Sequence, residues 1–309
     1  MNIKHETYSL KSNTGIANLF IQSVLPENNE NVDKVLLIVH GMAEHSDRYI
    51  EVAEYICDSG IPVFMYDHAG HGRSVNSKTD LGYFGEKDGN EKIVDDTAAV
   101  AEFVKSKYPG AKLIVWGHSM GSFVTRRFAA KYPDIADAYV ICGTAGANPA
   151  ASIGATIANL IGKVKGSHYR SEFINNLAFG SYNKKFNGDT GFEWLSVNEE
   201  NVKKYVKDDL CGYLFTAYAY RDMFRLLVSV SKDDAFTSVP SDKPIFLIAG
   251  TDDPVGNYGK GVEEVYNRYK STGHKNICPK LYNGLRHEIH NEESRKEIYD
   301  DILTYIQKL

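Results

Sequence analysis

Residues 117–121 read Gly-His-Ser-Met-Gly, and this pentapeptide limits the possible folds more than any other segment of the chain. An apolar run at 112–116 precedes it, and a helical pattern carried by Phe123, Val124 and Phe128 follows. A G-x-S-x-G sequence in that position predicts a strand that reverses sharply into a helix, with the serine at the apex. The glycines leave room where side chains would collide in so tight a turn. Ser119 Oγ is then exposed above a sheet, and the unpaired amides of the following helix face the same space from its positive end. A small-residue turn that merely lets a helix pack closely is the alternative. The strand and helix on either side favour a reactive serine.

The rest of the chain supplies a sheet for that turn. Short continuous apolar runs recur at 35–39, 62–66, 113–116, 138–141, 245–249 and 277–282. Continuous runs suit parallel strands covered on both faces. Helical patterns lie between them, at Ile93, Val94, Thr97, Val100, Ala101 and Val104, at Val262, Val265, Tyr266 and Tyr269, and at Ile298, Ile302, Leu303 and Ile306. Alternating segments at 5–10 and 16–24, separated by Ser12-Asn13-Thr14-Gly15, predict an antiparallel hairpin. The expected fold is α/β, with a mostly parallel central sheet and helices on both faces.

Between residues 141 and 245 the rhythm breaks, over a length far beyond what a crossover helix requires. The chain therefore reads as a core of residues 1–146 and 241–309 with an insertion at 147–240. The insertion is helical and apolar: a low-charge stretch at 150–162, then Phe173, Ile174 and Leu177, then Trp194-Leu195, then 210–230 with Tyr213, Phe215, Tyr218, Tyr220, Met223 and Phe224. It is either a subdomain packing its own core or a lid whose aromatic inner face makes a pocket over Ser119. Because the sheet already supplies the main core, the lid is the favoured reading.

Composition closes off several classes of function. With 43% hydrophobic residues, 24% charged residues and a net charge of −5, the chain has an ordinary soluble composition. No Lys/Arg-rich block is present that would neutralise a phosphate backbone, so nucleic acid is not an expected partner. Cys57, Cys142, Cys211 and Cys278 form no C-x-x-C pair and predict buried thiols in a reducing compartment. No stretch has the length of a signal peptide or a membrane span, and the expected location is the cytoplasm.

A serine nucleophile needs a base, and the base needs an orienting carboxylate. In an open α/β sheet both must come from loops at the carboxyl ends of strands. His274 precedes the strand at 277–282 and is on the wrong edge, whereas His287 and His290 follow it. Asn291 reads as the N-cap of the final helix, which sets His290 at the helix as a surface or capping residue and leaves His287 in the free loop as the base. Asp242 precedes its strand; Asp252 and Asp253 follow Ile248-Ala249-Gly250. Pro254 holds Asp253 extended, which suits an orienting group, and Asp252 reads as a turn residue. An oxyanion hole needs two converging amides. Met120 N–H is one candidate and Met42 N–H, in His40-Gly41-Met42, the other. Gly41, His118, Phe215 and Tyr218 are the expected substrate-binding residues. The segment Asp67-His68-Ala69-Gly70-His71-Gly72-Arg73-Ser74, with His40, His45 and His118, raises zinc, but it lacks helical ligand spacing and a full ligand set. These histidines are expected to satisfy loop backbone groups, and no metal or organic cofactor is expected.

Five segments carry a resemblance: His40-Gly41-Met42-Ala43-Glu44-His45-Ser46 with Arg48-Tyr49, Asp67 through Ser74, Gly117-His118-Ser119-Met120-Gly121-Ser122, Gly250-Thr251-Asp252-Asp253-Pro254-Val255, and Gly284-Leu285-Arg286-His287-Glu288. Together they resemble the monoacylglycerol lipase and lysophospholipase branch of the α/β-hydrolases, over nearly the whole chain. Trp194-Leu195 and Asp209-Leu210-Cys211-Gly212-Tyr213 with Phe215-Thr216 look like bacterial members of that branch. The resemblance implies Ser119 as nucleophile, Asp253 and His287 as its partners, and the Met42 and Met120 amides as oxyanion hole. Met42 departs from the alanine usual in the mammalian enzymes.

The expected activity is hydrolysis of a lipid-like monoester through an acyl-enzyme. Each buried methylene of an acyl chain contributes about 0.8 kcal/mol, so medium and long chains gain most. A proline iminopeptidase or feruloyl-type esterase shares the fold and triad; a peptidase needs lid carboxylates turned into the pocket, for which Glu172, Glu193, Glu199 and Glu200 are the candidates. Outside enzymes, the alternatives are a non-catalytic ligand binder and a lipid-surface binder. Lys163, Lys165 and Arg170 beside the 150–162 stretch give transient membrane contact through the lid a weak basic flank. Oligomeric state is left open.

Overall fold

The computed structural model describes residues 3–27 and 31–309; the first two residues of the expected core segment and residues 28–30 lie outside that description. Among the described residues, eight strands form one sheet in the order β1-β2-β4-β3-β5-β6-β7-β8. They are β1 (Ile3–Lys11), β2 (Asn18–Pro26), β3 (Lys34–Val39), β4 (Val63–Tyr66), β5 (Lys112–His118), β6 (Ala138–Cys142), β7 (Ile245–Gly250) and β8 (Ile277–Tyr282). β1 pairs antiparallel with β2, and β2 with β4; every later pairing is parallel. The burial follows from this order. β4, β6 and β7 are buried at every position, as strands covered on both faces must be, whereas edge strand β1 alternates.

β8 corrects one expectation. It is the other edge, with Cys278, Pro279 and Leu281 turned to solvent, so Cys278 is an exposed thiol while Cys57, Cys142 and Cys211 are buried. Pro279 lacks an N–H and is tolerated there because an edge strand has one side without a ladder.

The described residues also form ten α-helices: α1 (Ile50–Cys57), α2 (Gly89–Lys107), α3 (Met120–Lys131), α4 (Ala151–Lys165), α5 (Glu172–Phe179), α6 (Glu199–Lys207), α7 (Ala217–Val230), α8 (Asp234–Thr237), α9 (Lys260–Ser271) and α10 (Arg295–Gln307). Two apolar layers result. One, with Val35, Leu37, Val115 and Phe128, lies under α2 and α3; the other, with Leu36, Ile38, Trp116 and Ile302, lies under α1 and α10. Residues one apart in β3 go to opposite layers, as strand alternation requires. Because β3 lies between β4 and β5, the connections diverge there, and the carboxyl ends of β3 and β5 open a crevice at the switch point.

The chain between β6 and β7 carries α4 through α8. α7 packs on α4 on one side and on α3 and α2 on the other, so it joins this excursion to the main core. Among the described residues, no helix is long and apolar enough to cross a membrane.

Candidate active site

Ser119 stands between β5 and α3 with φ 54° and ψ −122°, a left-handed conformation rare for a residue with a side chain. The glycines around it are sterically required. A Cβ on Gly117 would strike the Gly121 carbonyl and Thr125 Oγ1, and one on Gly121 would strike the Val39 carbonyl. The strain is held by Ser119 N–H donating to Cys142 O at 3.0 Å and by Ser119 O accepting from Ser122 Oγ at 2.6 Å.

Asp253 follows β7 and is fully buried, while Asp252 beside it is exposed. Asp253 Oδ1 accepts the Val255 N–H at 2.8 Å, which leaves Oδ2 to lie 2.9 Å from His287 Nδ1. Burial disfavours a charged His287, but the charge and hydrogen bond of Asp253 outweigh it and raise the imidazole above the usual histidine value. His287 Nε2 has no hydrogen-bond partner among the described residues. Ser119 and His287 line the same cavity.

His290 differs from the sequence expectation. It is fully buried, stacked on Tyr49 at 4.8 Å and edge-on to Trp116, with burial lowering its pKa to about 3. Asn291 caps nothing, because it ends a short 3-10 turn (Ile289–Asn291) and α10 starts only at Arg295 after Ser294. His274 is buried against Tyr269 and Thr272, at the opposite end of β8.

His118 packs its ring at 4.7 Å from both His287 and His290, and Trp194 lies 5.1 Å from His287 on another side. Trp194 is a contact that its apolar character alone does not reveal: that character predicts burial, and the structure leaves the ring half-buried and packed against the histidine. Further out, His40, His68 and His71 form a second cluster with ring centroids 4.5 to 5.9 Å apart. His40 Nε2 accepts the His68 N–H at 3.0 Å, and His71 Nδ1 lies 3.3 Å from Ala69 O, so these rings serve loop backbone. Burial holds His40, His68, His71 and His118 well below the ordinary histidine pKa.

A buried ion network braces the loop after β3. Glu44 Oε1 accepts the Gly41 N–H at 2.5 Å and the Tyr49 hydroxyl at 2.8 Å, so the Gly41 amide faces Glu44. Gly41 lies against Ser119 without lining the cavity; a Cβ there would come within 3.0 Å of Ser119 Cβ. Arg48 donates to Glu44 Oε2 at 3.1 Å and to Glu288, the neighbour of His287. Burial opposes the Glu288 charge, yet Arg48 and the Asn201 amide hold that carboxyl below its usual value. Ala43, at φ 51°, turns its carbonyl outward to accept from Tyr205 Oη and Gly212 N–H, both at 3.0 Å.

A cavity of about 900 Å³ opens over Ser119. Met42, Met120, His118 and Phe123 line it from the sheet side, and Ile157, Leu177, Phe179, Trp194 and Leu227 from the excursion between β6 and β7. Phe215 and Tyr218 do not line it, contrary to expectation. Phe215 is fully buried against His71 and Phe84, and Tyr218 packs beside Gly162 under the Arg221 guanidinium. Thr216 explains both, since its hydroxyl caps α7 at the Ala219 N–H and bonds the Gly82 carbonyl, pinning this turn to the core away from the opening.

Comparison with known proteins agrees with this architecture. Residues 30–294 match the family described as serine aminopeptidase, S33. The chain is 27% identical to a monoacylglycerol lipase of Mycolicibacterium smegmatis, over 88% of this chain and 87% of that protein. It is 25% identical to human monoglyceride lipase, over 89% and 82%. A thermostable carboxyl esterase from Bacillus coagulans, solved in complex with glycerol, superposes with a TM-score of 0.92 at 27% identity over 98% of each chain. A strained serine between strand and helix, a buried Asp–His pair on the same sheet edge and this match across most of the sequence place the chain in the serine aminopeptidase S33 family of α/β-hydrolases, as a serine hydrolase.

Proposed function

We propose that the chain hydrolyses the carboxylic ester of a lipid-like monoester, a monoacylglycerol or lysophospholipid. One observation carries this reading above all. The cavity over Ser119 is mostly apolar, and Ile153 and Leu177, which line it, are also 64% and 53% exposed. An acyl chain thus has an apolar path from bulk to nucleophile. Asn183, Asn257 and Lys260 line the same cavity and offer partners for a hydroxylated leaving group. The monoacylglycerol lipases among the relatives support the same substrate class.

In this reading His287 Nε2 takes the Ser119 proton as Oγ attacks the ester carbonyl. The Met42 and Met120 amides receive the oxyanion, and Asp253 stabilises the imidazolium. His287 returns the proton to the departing alcohol, leaving an acyl-serine. Water, deprotonated by the same histidine, then releases the acid and restores Ser119.

Residues 147–240 act as the cap that shelters this chemistry. α4 presents Ile153, Leu160 and Val164 outward on one face and α5 presents Phe173 and Leu177, a surface suited to resting on lipid. Lys163 and Lys165 flank it; Arg170 does not, because it turns inward to the Leu81 and Leu214 carbonyls. A peptidase reading finds less support. Glu172, Glu199 and Glu200 are exposed, and Glu193 accepts hydrogen bonds from Thr190 and Asn183, so none of the four lines the cavity.

The test is hydrolysis of 1-monoacylglycerols, lysophospholipids, short and long p-nitrophenyl esters and a prolyl-arylamide by the wild type and Ser119→Ala. Long-chain monoesters are expected to be preferred, with Ser119→Ala losing at least about 10³-fold in kcat. Preference for the prolyl-arylamide, or full activity in the alanine variant, overturns the proposal.

A further inference from the structure

We propose that His45, Asp208 and Cys211 form a zinc-binding site that clasps the cap to the loop carrying Met42. The three residues come from two distant stretches of chain. A ring nitrogen of His45, a carboxylate oxygen of Asp208 and Cys211 Sγ all lie within 4.8 Å of one another. One nitrogen, one oxygen and one sulfur suit Zn²⁺, which takes such mixed sets in tetrahedral geometry with water in the remaining position.

The surroundings support the ligands as well as supplying them. His45 Nε2 is 2.9 Å from Asp208 Oδ2, and the other Asp208 oxygen is fixed by the Leu210 N–H at 2.8 Å. His45 is 5% exposed, and its Nδ1 has no hydrogen-bond partner among the described residues. That nitrogen lies 3.8 Å from Asp47 Oδ2. Asp47 Oδ1 already accepts from Gln22 and Arg73, which leaves Oδ2 facing the histidine. A metal-bound histidine ordinarily donates its second ring N–H to such a carboxylate. The outer carboxylate therefore needs only a small approach to accept the Nδ1 proton when the ion binds.

Charge and access are also suitable. Burial pushes the Cys211 thiol up, so thiolate formation must be driven by the ion itself, while the neighbouring Arg48 cation is held between Glu44 and Glu288. The Asp208 side chain is 34% exposed and gives an entry route, while Cys211 is 8% exposed. On binding, the Cys211 thiol releases its proton to solvent and the thiolate bonds the ion. The His45 ring proton moves to Nδ1, facing Asp47, and Nε2 bonds the ion; nothing is oxidised or reduced.

Because Tyr205 and Gly212 already bond the Ala43 carbonyl, the ion tightens an existing junction rather than creating one. Binding to the folded state alone raises the unfolding temperature. The experiment titrates the full-length protein with ZnCl₂ by calorimetry, records the absorption of the Co²⁺-loaded protein, and follows unfolding temperature with and without Zn²⁺. The expected result is one equivalent bound, a thiolate-to-cobalt charge-transfer band and a Zn²⁺-dependent rise in Tm. Cys211→Ser should lose the band, bind Zn²⁺ at least ten-fold more weakly and keep its metal-free ester hydrolysis. Asp208→Asn should weaken binding similarly, and Cys278→Ser should change nothing. Absence of binding by the wild type, or unchanged affinity in Cys211→Ser, overturns the proposal. None of these metal readouts depends on the substrate assigned to Ser119.

Discussion

Two parts of the excursion between β6 and β7, the proposed cap, are attached to the sheet by different physics. Residues 193–212 are tied down by polar bonds. The Glu288 N–H donates to the Leu195 carbonyl at 2.7 Å, Glu292 accepts from Ser196, Val197 and Asn198, and Asn201 joins the Arg48–Glu288 pair. Every one of those partners lies in the loop that carries His287 or the loop that carries Met42. The half formed by α4 and α5 instead packs through small buried residues, Ala151, Gly154 and Ala158, and Ile174, and leaves large apolar side chains in water. Polar bonds have direction and fix the position of what they join; apolar packing on small residues holds elements together with less directional constraint. The first half is therefore suited to setting catalytic geometry and the second to meeting the substrate.

The largest effect should come from breaking the polar half. Arg48→Ala leaves Glu44 and Glu288 buried and unpaired, a change expected to cost about 3–5 kcal/mol of stability. Urea unfolding should show the loss, with kcat falling for every ester, soluble or aggregated. Equal stability in the variant would mean that the network does not brace the cap. Next in size, Ile153→Ser combined with Leu177→Ser should weaken partition onto phospholipid vesicles by at least about ten-fold, since full burial is worth roughly 1.5–3 kcal/mol per large aliphatic side chain and the exposed part of each of these two is what membrane contact would bury. Turnover of a short soluble ester by that double variant should stay within about two-fold. If both substrates suffer alike, the two halves do not divide the work as described.

A smaller effect concerns pH and His287 alone. Its raised pKa keeps the imidazole protonated, and so unable to act as base, to a higher pH than an ordinary histidine. The acid limb of kcat/KM should therefore have its midpoint above about 6.5. Asp253→Asn removes the charge that raises it and should move that midpoint downward. A wild-type midpoint well below about 6 would contradict the pairing.

What could be read from the sequence depended on whether the signal was local. The parallel strands were legible because burial on both faces leaves continuous apolar runs at 35–39 and 245–249. The turn at Ser119 was legible because its G-x-S-x-G signature lies within five residues, although only Gly117 answers to a local collision and Gly121 answers to the distant Val39 carbonyl. Edge logic also separated His287 and Asp253 from His274 and Asp242, and the structure brings the first two within 2.9 Å. Long-range placement was not legible. Phe215 and Tyr218 share the aromatic, helical character of true lining residues, and periodicity says that a residue faces inward without saying toward what. Arg170 looked like a basic flank until its guanidinium met backbone carbonyls nearly ninety positions away. The Arg48–Glu288 pair spans 240 residues, and only the folded chain could reveal it.

The backbone at Ser119 has an evolutionary consequence. A side-chain-bearing residue at φ 54° and ψ −122° stores about 1–3 kcal/mol that a glycine would not. A lineage selected only for persistence would therefore drift toward the substitution Ser119→Gly, becoming hardier as it lost the hydroxyl. The fold by itself therefore gives no reason for a side chain at position 119, and the hydroxyl is kept at a cost in stability.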